Sequence, residues 1–102
     1  MKQAKDCQNI QEIRDIIDEI DYQIIASFAK RYEYVREIVK FKSDQEGIVA
    51  KDRQLEVLKQ RKEWAKEFGL DQELMKGIFE AIMTWNIQKE MELFNDMQKA
   101  TS

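Results

Sequence analysis

The chain has 102 residues, 43% of them hydrophobic and 36% charged, and its formal net charge is −3. It has no histidine and one cysteine, Cys7, which excludes an internal disulfide and Ser/His/Asp, Cys/His and zinc hydrolase chemistry. The acidic balance gives no basic surface for nucleic acid, and no stretch is apolar enough to span a membrane. We therefore expect one domain over residues 1–102, in the cytoplasm, where a lone thiol stays reduced.

The first predicted element is a helix over residues 10–42. The chain lacks proline and has only three glycines, so long periodic segments are expected. In this segment apolar residues recur at steps of three and four, which is the pattern of an amphipathic helix. They are Ile10, Ile13, Ile17, Ile20, Ile24, Phe28, Val35 and Ile38.

Two shorter helices are predicted after a polar break. Residues 43–50 begin with a polar run that ends in a glycine, and we expect them to form a loop. A second helix is predicted over 51–68, because Gly69 suits the left-handed position that follows a helix. Asp71 suits the N-cap of a third helix over 72–97. The predicted fold is therefore an all-α chain of three helices with a very long first helix.

The length of the first predicted helix bears on assembly. About 33 residues at about 1.5 Å each span about 50 Å, whereas a compact domain of about 100 residues has a radius of gyration of about 13 Å. One chain of this size cannot cover the whole apolar stripe, and the remainder would be an exposed apolar surface. A homodimer with the long helices side by side is the economical solution. A solitary three-helix hairpin with a frayed first helix is the alternative.

Two cations lie in the centre of the apolar stripe when the first predicted helix is drawn on a wheel. Arg31 and Lys42 occupy positions that should be aliphatic, and such cations are seldom buried unless they are paired. About 16 Å of helix separates them, which leaves room for a small molecule with two negative groups. The alternative is that both side chains reach solvent or pair with an acid from another helix.

Arg14 lies on the shoulder of the same stripe. It precedes Arg31 by 17 residues, or about 25 Å along the helix axis, which is too far for both to hold one small ligand within one chain. In a dimer of antiparallel long helices, however, Arg14 of one subunit could reach the region of Arg31 and Lys42 in the other. The stripe thus predicts an anion site that two subunits share.

Glu90 and Asn86 lie one turn apart on the third predicted helix, near the edge of its apolar face. A carboxyl group there would have its pKa raised by desolvation unless a neighbouring cation lowered it again. Because Glu90 is one of several acids between Lys89 and Asp96, the residues alone favour an ordinary exposed glutamate.

Residues in a fixed order give the chain a family resemblance. They are Glu12-Ile13-Arg14, Ile17-Asp18, Ile20-Asp21, Arg31, Lys42, Arg53 and Gly69-Leu70-Asp71. Together they resemble the all-helical class of chorismate mutases over nearly the whole chain. Within that class the chain is most similar to bacterial isochorismate pyruvate lyases of salicylate and siderophore synthesis, through Asp6-Cys7, Tyr34-Val35, Phe41-Lys42, Ile48, Ala50, Trp64-Ala65, Gly77, Phe79 and Trp85-Asn86-Ile87.

The resemblance implies an intertwined homodimer of three-helix chains with two equivalent active sites and no cofactor or metal. Arg31 would bind one substrate carboxylate, and Arg14 of the other subunit would bind another. Lys42 would approach the ether oxygen of the enolpyruvyl group. Arg53, which follows a mobile loop over residues 43–50, would help to close the site.

Two positions depart from the family pattern. At position 90 the family has a glutamine that donates a hydrogen bond to the ether oxygen, whereas this chain has Glu90, as some fungal mutases do. Gln54 stands where many mutases have a glutamate that holds the hydroxyl group of the substrate ring. With Asn86 added, the expected substrate-binding residues are Arg14, Arg31, Arg53, Gln54 and Asn86, and the expected catalytic residues are Lys42 and Glu90.

The sequence leaves several functions open. The leading one is a pericyclic enzyme for a small dicarboxylate, which eliminates pyruvate from isochorismate to give salicylate, rearranges chorismate to prephenate, or does both. A dedicated chorismate mutase and a mutase for an amino-substituted chorismate are alternatives. A non-catalytic helical dimer or interaction module is the alternative of a different class, and it predicts that protein carboxylates satisfy Arg31 and Lys42.

Overall fold

The computed structural model describes residues 2–101, of which Thr101 is described by its backbone alone. The all-α fold with a long first helix is confirmed. Within the described residues no helix is long and apolar enough to cross a membrane. The elements are a 3-10 turn at Ala4–Asp6, α1 at Ile10–Ile38, a second 3-10 turn at Val39–Phe41, α2 at Gln45–Val49, α3 at Lys51–Glu67 and α4 at Gln72–Thr101.

The chain up to Tyr34 forms one compact unit, which holds most of α1. The side chain of Asn9 accepts a hydrogen bond from the backbone N–H of Glu12 at 2.8 Å, and so caps the start of α1. The carboxylate of Glu12 in turn accepts from the backbone N–H of Gln8 at 2.9 Å and from the ammonium of Lys2. The contact with Lys2 holds the pKa of Glu12 below its ordinary value.

The apolar face of α1 is exposed in this chain. None of the residues in Ile10–Ile38 is buried. Apolar side chains of this size are normally removed from water, because full burial of each stabilises the folded state by about 1.5–3 kcal/mol. Seven isoleucines of the helix remain 40–69% exposed, namely Ile10, Ile13, Ile17, Ile20, Ile24, Ile25 and Ile38.

The chain from Val35 onwards forms the second unit, which is organised around α4. Helices α2 and α3 and the 3-10 turn at Val39–Phe41 all pack against α4. The core of this unit is a cluster of Val39, Ile48 and Phe94, one residue from each of three elements. Three half-buried side chains of α4 pack around it, namely Ile87, Met91 and Leu93.

The prediction that the first helix continues to Lys42 is wrong. The α-helix ends at Ile38, and Lys42 follows the 3-10 turn with an extended backbone, φ −100° and ψ 136°. The tighter turn places Val39 in the core with 1% exposure, and it leaves Phe41 86% exposed. Burial of Val39 against Phe94 therefore outweighs continuation of the helix, and Lys42 does not lie on the stripe of α1.

The prediction of a loop over residues 43–50 is also wrong in part, because the segment contains α2. Asp44 caps this helix by accepting a hydrogen bond from the backbone N–H of Gly47 at 2.7 Å. Ile48 is buried in the core. Ala50 ends α2 in the left-handed region, with φ 45° and ψ 60°, and α3 begins at the next residue.

The turn between α3 and α4 follows the local sequence. Gly69 has a left-handed φ of +72°, its backbone N–H donates to the carbonyl of Lys66 at 3.1 Å, and that of Leu70 donates to Ala65 at 2.8 Å. This is the Schellman arrangement of hydrogen bonds. Asp71 accepts from the N–H of Leu74 at 2.8 Å and caps α4, which extends to Thr101 and so beyond the predicted end at residue 97.

Candidate active site

Two polar side chains are buried on α4. Asn86 is 5% exposed and Glu90 8% exposed, one turn apart. Met83 and Phe94 continue the same buried face at helical spacing. The expectation of an exposed Glu90 is therefore wrong, because Glu90 shares this face with Phe94, which packs against the core cluster.

Lys42 is half-buried beside α2. Its backbone N–H donates to the carbonyl of Val39 at 3.1 Å, which closes the 3-10 turn. Its aliphatic stem passes next to Gly47, since a Cβ placed on that glycine would lie 3.5 Å from Cδ of Lys42. The position of this lysine thus depends on the turn before it and on the helix after it.

The core cluster connects the two segments that carry the expected catalytic groups. Val39 lies three residues before Lys42, and Phe94 lies one turn after Glu90. Val39 and Phe94 belong to one cluster. The 3-10 turn before Lys42 therefore packs against α4 near Phe94, one turn after Glu90. Core packing therefore places the turn that precedes Lys42 against the helix that carries Glu90.

Gln54 is half-buried on α3 and is turned towards α2. Its side-chain amide nitrogen donates a 2.7 Å hydrogen bond to the backbone carbonyl of Val49. This contact is a different one from the expected hydrogen bond to a substrate ring, which stays a prediction. It ties the first turn of α3 to the last turn of α2.

Arg53 is exposed at the start of α3 and pairs with the carboxylate of Glu56. It also lines an open cavity of about 790 Å³. The cavity walls come from α2, the first turn of α3 and one residue of α4. Its lining residues are Gln45, Glu46, Val49, Ala50, Lys51, Asp52, Arg53 and Met91.

The two arginines expected to bind carboxylates both lie on α1. Arg31 is half-buried and Arg14 is exposed. Arg31 follows Arg14 by 17 positions, or about 25 Å of continuous helix, so the two side chains of one chain cannot grip one small dicarboxylate. The expected role of Arg14 therefore requires a second copy of the chain.

The part that α2 plays was not apparent from the sequence. Asp44, Gly47 and Ile48 hold this helix and Lys42 together, yet they lie in a segment interpreted as a loop. The available signal was an aspartate three residues before a glycine, which lacks the acidic or amide partner of a full capping box. Across residues 2–101 the structure contains no group of three or more side chains suited to bind a metal ion.

Comparisons with known proteins identify the family of the chain. Residues 13–91 match the family described as chorismate mutase type II. The chain is also 33% identical over 100 residues to a Pseudomonas aeruginosa protein named isochorismate pyruvate lyase. That similarity covers 98% of this chain and 99% of the relative. The chain therefore belongs to the type II chorismate mutase family and is an enzyme of that family.

Proposed function

We propose that this enzyme eliminates pyruvate from isochorismate to form salicylate, and that it also rearranges chorismate to prephenate in the same site. The similarity over nearly the full chain to a protein named isochorismate pyruvate lyase supports the first reaction. The structural observation that carries the proposal is the burial of Asn86 and Glu90 on one face of α4. In binding sites a small number of polar groups placed among apolar side chains fix the orientation of a ligand.

The chemistry suits a chain without histidine. Both reactions move electrons around a ring of atoms within the substrate and break the ether C–O bond of the enolpyruvyl arm, without an external nucleophile, metal or cofactor. The protein has to hold the arm over the ring, and such positioning alone lowers the activation barrier by several kcal/mol. As the C–O bond breaks, negative charge grows on the ether oxygen, and donors fixed at that point stabilise the transition state more than the ground state.

Each candidate residue has a role in this scheme. Arg31 and Arg14 bind the two substrate carboxylates, since a guanidinium group can grip a carboxylate through two parallel hydrogen bonds. Lys42 donates to the ether oxygen, and Glu90 donates there when it is protonated. Arg53, Gln54 and Asn86 complete the substrate-binding residues, with the first of these at the wall of the open cavity.

The active unit in this proposal is a homodimer. The isoleucines of α1 present an apolar face over 29 residues, about 44 Å of helix, and that face is exposed in the single chain. A second copy related by a two-fold axis covers it and brings Arg14 of one subunit to Arg31 of the other. We place this dimer in the cytoplasm, where Cys7 stays reduced.

Incubation of the purified protein with isochorismate and with chorismate, in separate reactions, tests the activity. We expect salicylate and pyruvate from isochorismate and prephenate from chorismate, identified by chromatography and mass spectrometry. Formation of prephenate alone would show that the enzyme is a mutase and not a lyase. Absence of turnover with both substrates would reject the proposed activity. The Lys42→Ala protein, prepared identically, controls for a contaminating enzyme.

A mixing experiment tests whether two subunits share each site. Arg14→Ala and Arg31→Ala are each expected to be nearly inactive, because each removes one carboxylate clamp from both sites of the dimer. When equal amounts are unfolded, mixed and refolded together, half of the dimers carry one chain of each kind, and one of their two sites has both arginines. We therefore expect about one quarter of the wild-type activity in the mixture.

The mixture would stay inactive if the two subunits did not share each site. If both arginines of a site came from one chain, every site in the mixed dimers would lack one of them, and no activity would return. Each variant refolded alone is the control for the yield of refolding. Sedimentation of the wild-type protein as a monomer at assay concentration would reject the shared site directly.

A further inference from the structure

Helix α2 is held at both ends although it has only five residues. A peptide of this length is not helical by itself in water, so its order must come from contacts with the rest of the chain. At its start Asp44 accepts from the N–H of Gly47 at 2.7 Å, and the amide of Gln45 donates to the side chain of Asn95 on α4 at 3.3 Å. In its last turn Ile48 is buried against the core.

The end of α2 is held by one side chain of α3. The amide of Gln54 donates to the carbonyl of Val49 at 2.7 Å. A C-terminal carbonyl of a helix has no partner within the helix, so a side-chain donor satisfies a group that would otherwise need water. Ala50 adopts left-handed φ and ψ values between the two helices, and this strained conformation needs such support.

Helix α2 in turn supports the stem of Lys42. Cδ of this lysine lies 3.5 Å from the point where a Cβ of Gly47 would stand. A lysine side chain has four rotatable bonds and loses considerable entropy when it is held in one conformation. A fixed helix surface beside the stem therefore limits where its ammonium group can be.

We propose that Gln54 is a positioning residue, whose amide fixes α2 and through α2 the stem of Lys42. The inference rests on the proposed function only in the role of Lys42 as the donor to the ether oxygen. A glutamate at position 54 would not serve in the same way, because a carboxylate accepts hydrogen bonds and cannot donate one to a carbonyl. The Gln54 side chain thus belongs to the machinery that preorganises the site, whether or not it also meets the substrate ring.

Gln54→Met and Gln54→Glu test this proposal by two readouts. Both variants remove the donor while nearly preserving the length of the side chain. In the ligand-free protein we expect backbone amide exchange at residues 47–50 to become about three- to tenfold faster, the change that loss of one such hydrogen bond produces. We expect kcat to fall by a similar factor, because Lys42 acts in the transition state, whereas loss of a contact with the substrate would raise KM.

Gln60→Met is the matched control, because Gln60 is an exposed glutamine of the same helix. It should leave both the exchange at residues 47–50 and kcat unchanged. Unchanged exchange in the two Gln54 variants would overturn the proposal, and so would faster exchange with an unchanged kcat. Failure of the wild-type protein to turn over either substrate would instead reject the proposed function, and the exchange data would still decide whether Gln54 fixes α2.

Discussion

Replacement of Lys42 by alanine is expected to lower kcat for isochorismate and for chorismate by about a hundredfold or more. The magnitude is that of a preorganised donor removed from the atom on which transition-state charge develops. Because the ground-state ether oxygen carries little charge, the loss should appear in kcat more than in KM. Steady-state kinetics with each substrate measure the two parameters.

Lys40→Ala provides the control for this prediction. Lys40 lies two residues earlier, is exposed, and pairs with Glu37 at 2.7 Å. Its removal takes away the same charge from the same region without affecting a buried group, so kcat should stay close to the wild-type value. A Lys42→Ala enzyme with a nearly unchanged rate would remove this lysine from the mechanism.

The activity of the wild-type enzyme is expected to decrease as the pH rises through the pKa of Glu90. Only the protonated carboxyl group can donate a hydrogen bond to the ether oxygen. In the proposed mechanism Glu90 acts in its protonated form, so the activity belongs to the acid side of this pKa. An amide donates at every pH, and Glu90→Gln should therefore lack the decrease. Profiles of kcat against pH for the two proteins make the comparison.

Glu92→Gln separates the role of Glu90 from a general effect of charge on α4. Glu92 is exposed and pairs with Lys89 at 3.3 Å. Its replacement should leave the wild-type pH profile intact. Identical decreases in the wild-type and Glu90→Gln enzymes over the same pH range would show that another group is responsible and that the role given to Glu90 is wrong.

Features that depend on neighbours along the chain could be read from the sequence. The period of the isoleucines indicates a long first helix, and the structure has 29 residues of α-helix there. Gly69 and Asp71 occupy the turn between α3 and α4 because left-handed backbone and N-capping have strong residue preferences. Local residue preferences were therefore sufficient to predict the three long helices and this turn.

Features that depend on contacts between distant segments could not be read in the same way. The end of α1 at Ile38 follows from burial of Val39 against Phe94, which lies 55 residues later. Short α2 exists because Ile48 joins the same cluster and Gln54 holds its last turn, and neither contact is local. The burial of Glu90 has a similar cause, since helical spacing shows which residues share a face but not which face is covered.

The arrangement of α1 has a consequence for the folding of the enzyme. A helix whose isoleucines remain in water gains little from packing, so in the proposed homodimer most of its stabilisation would come from pairing with the other chain. Formation of the native chain and association of two chains would then be one thermodynamic step. For the proposed homodimer, dilution would lower the melting temperature of the protein.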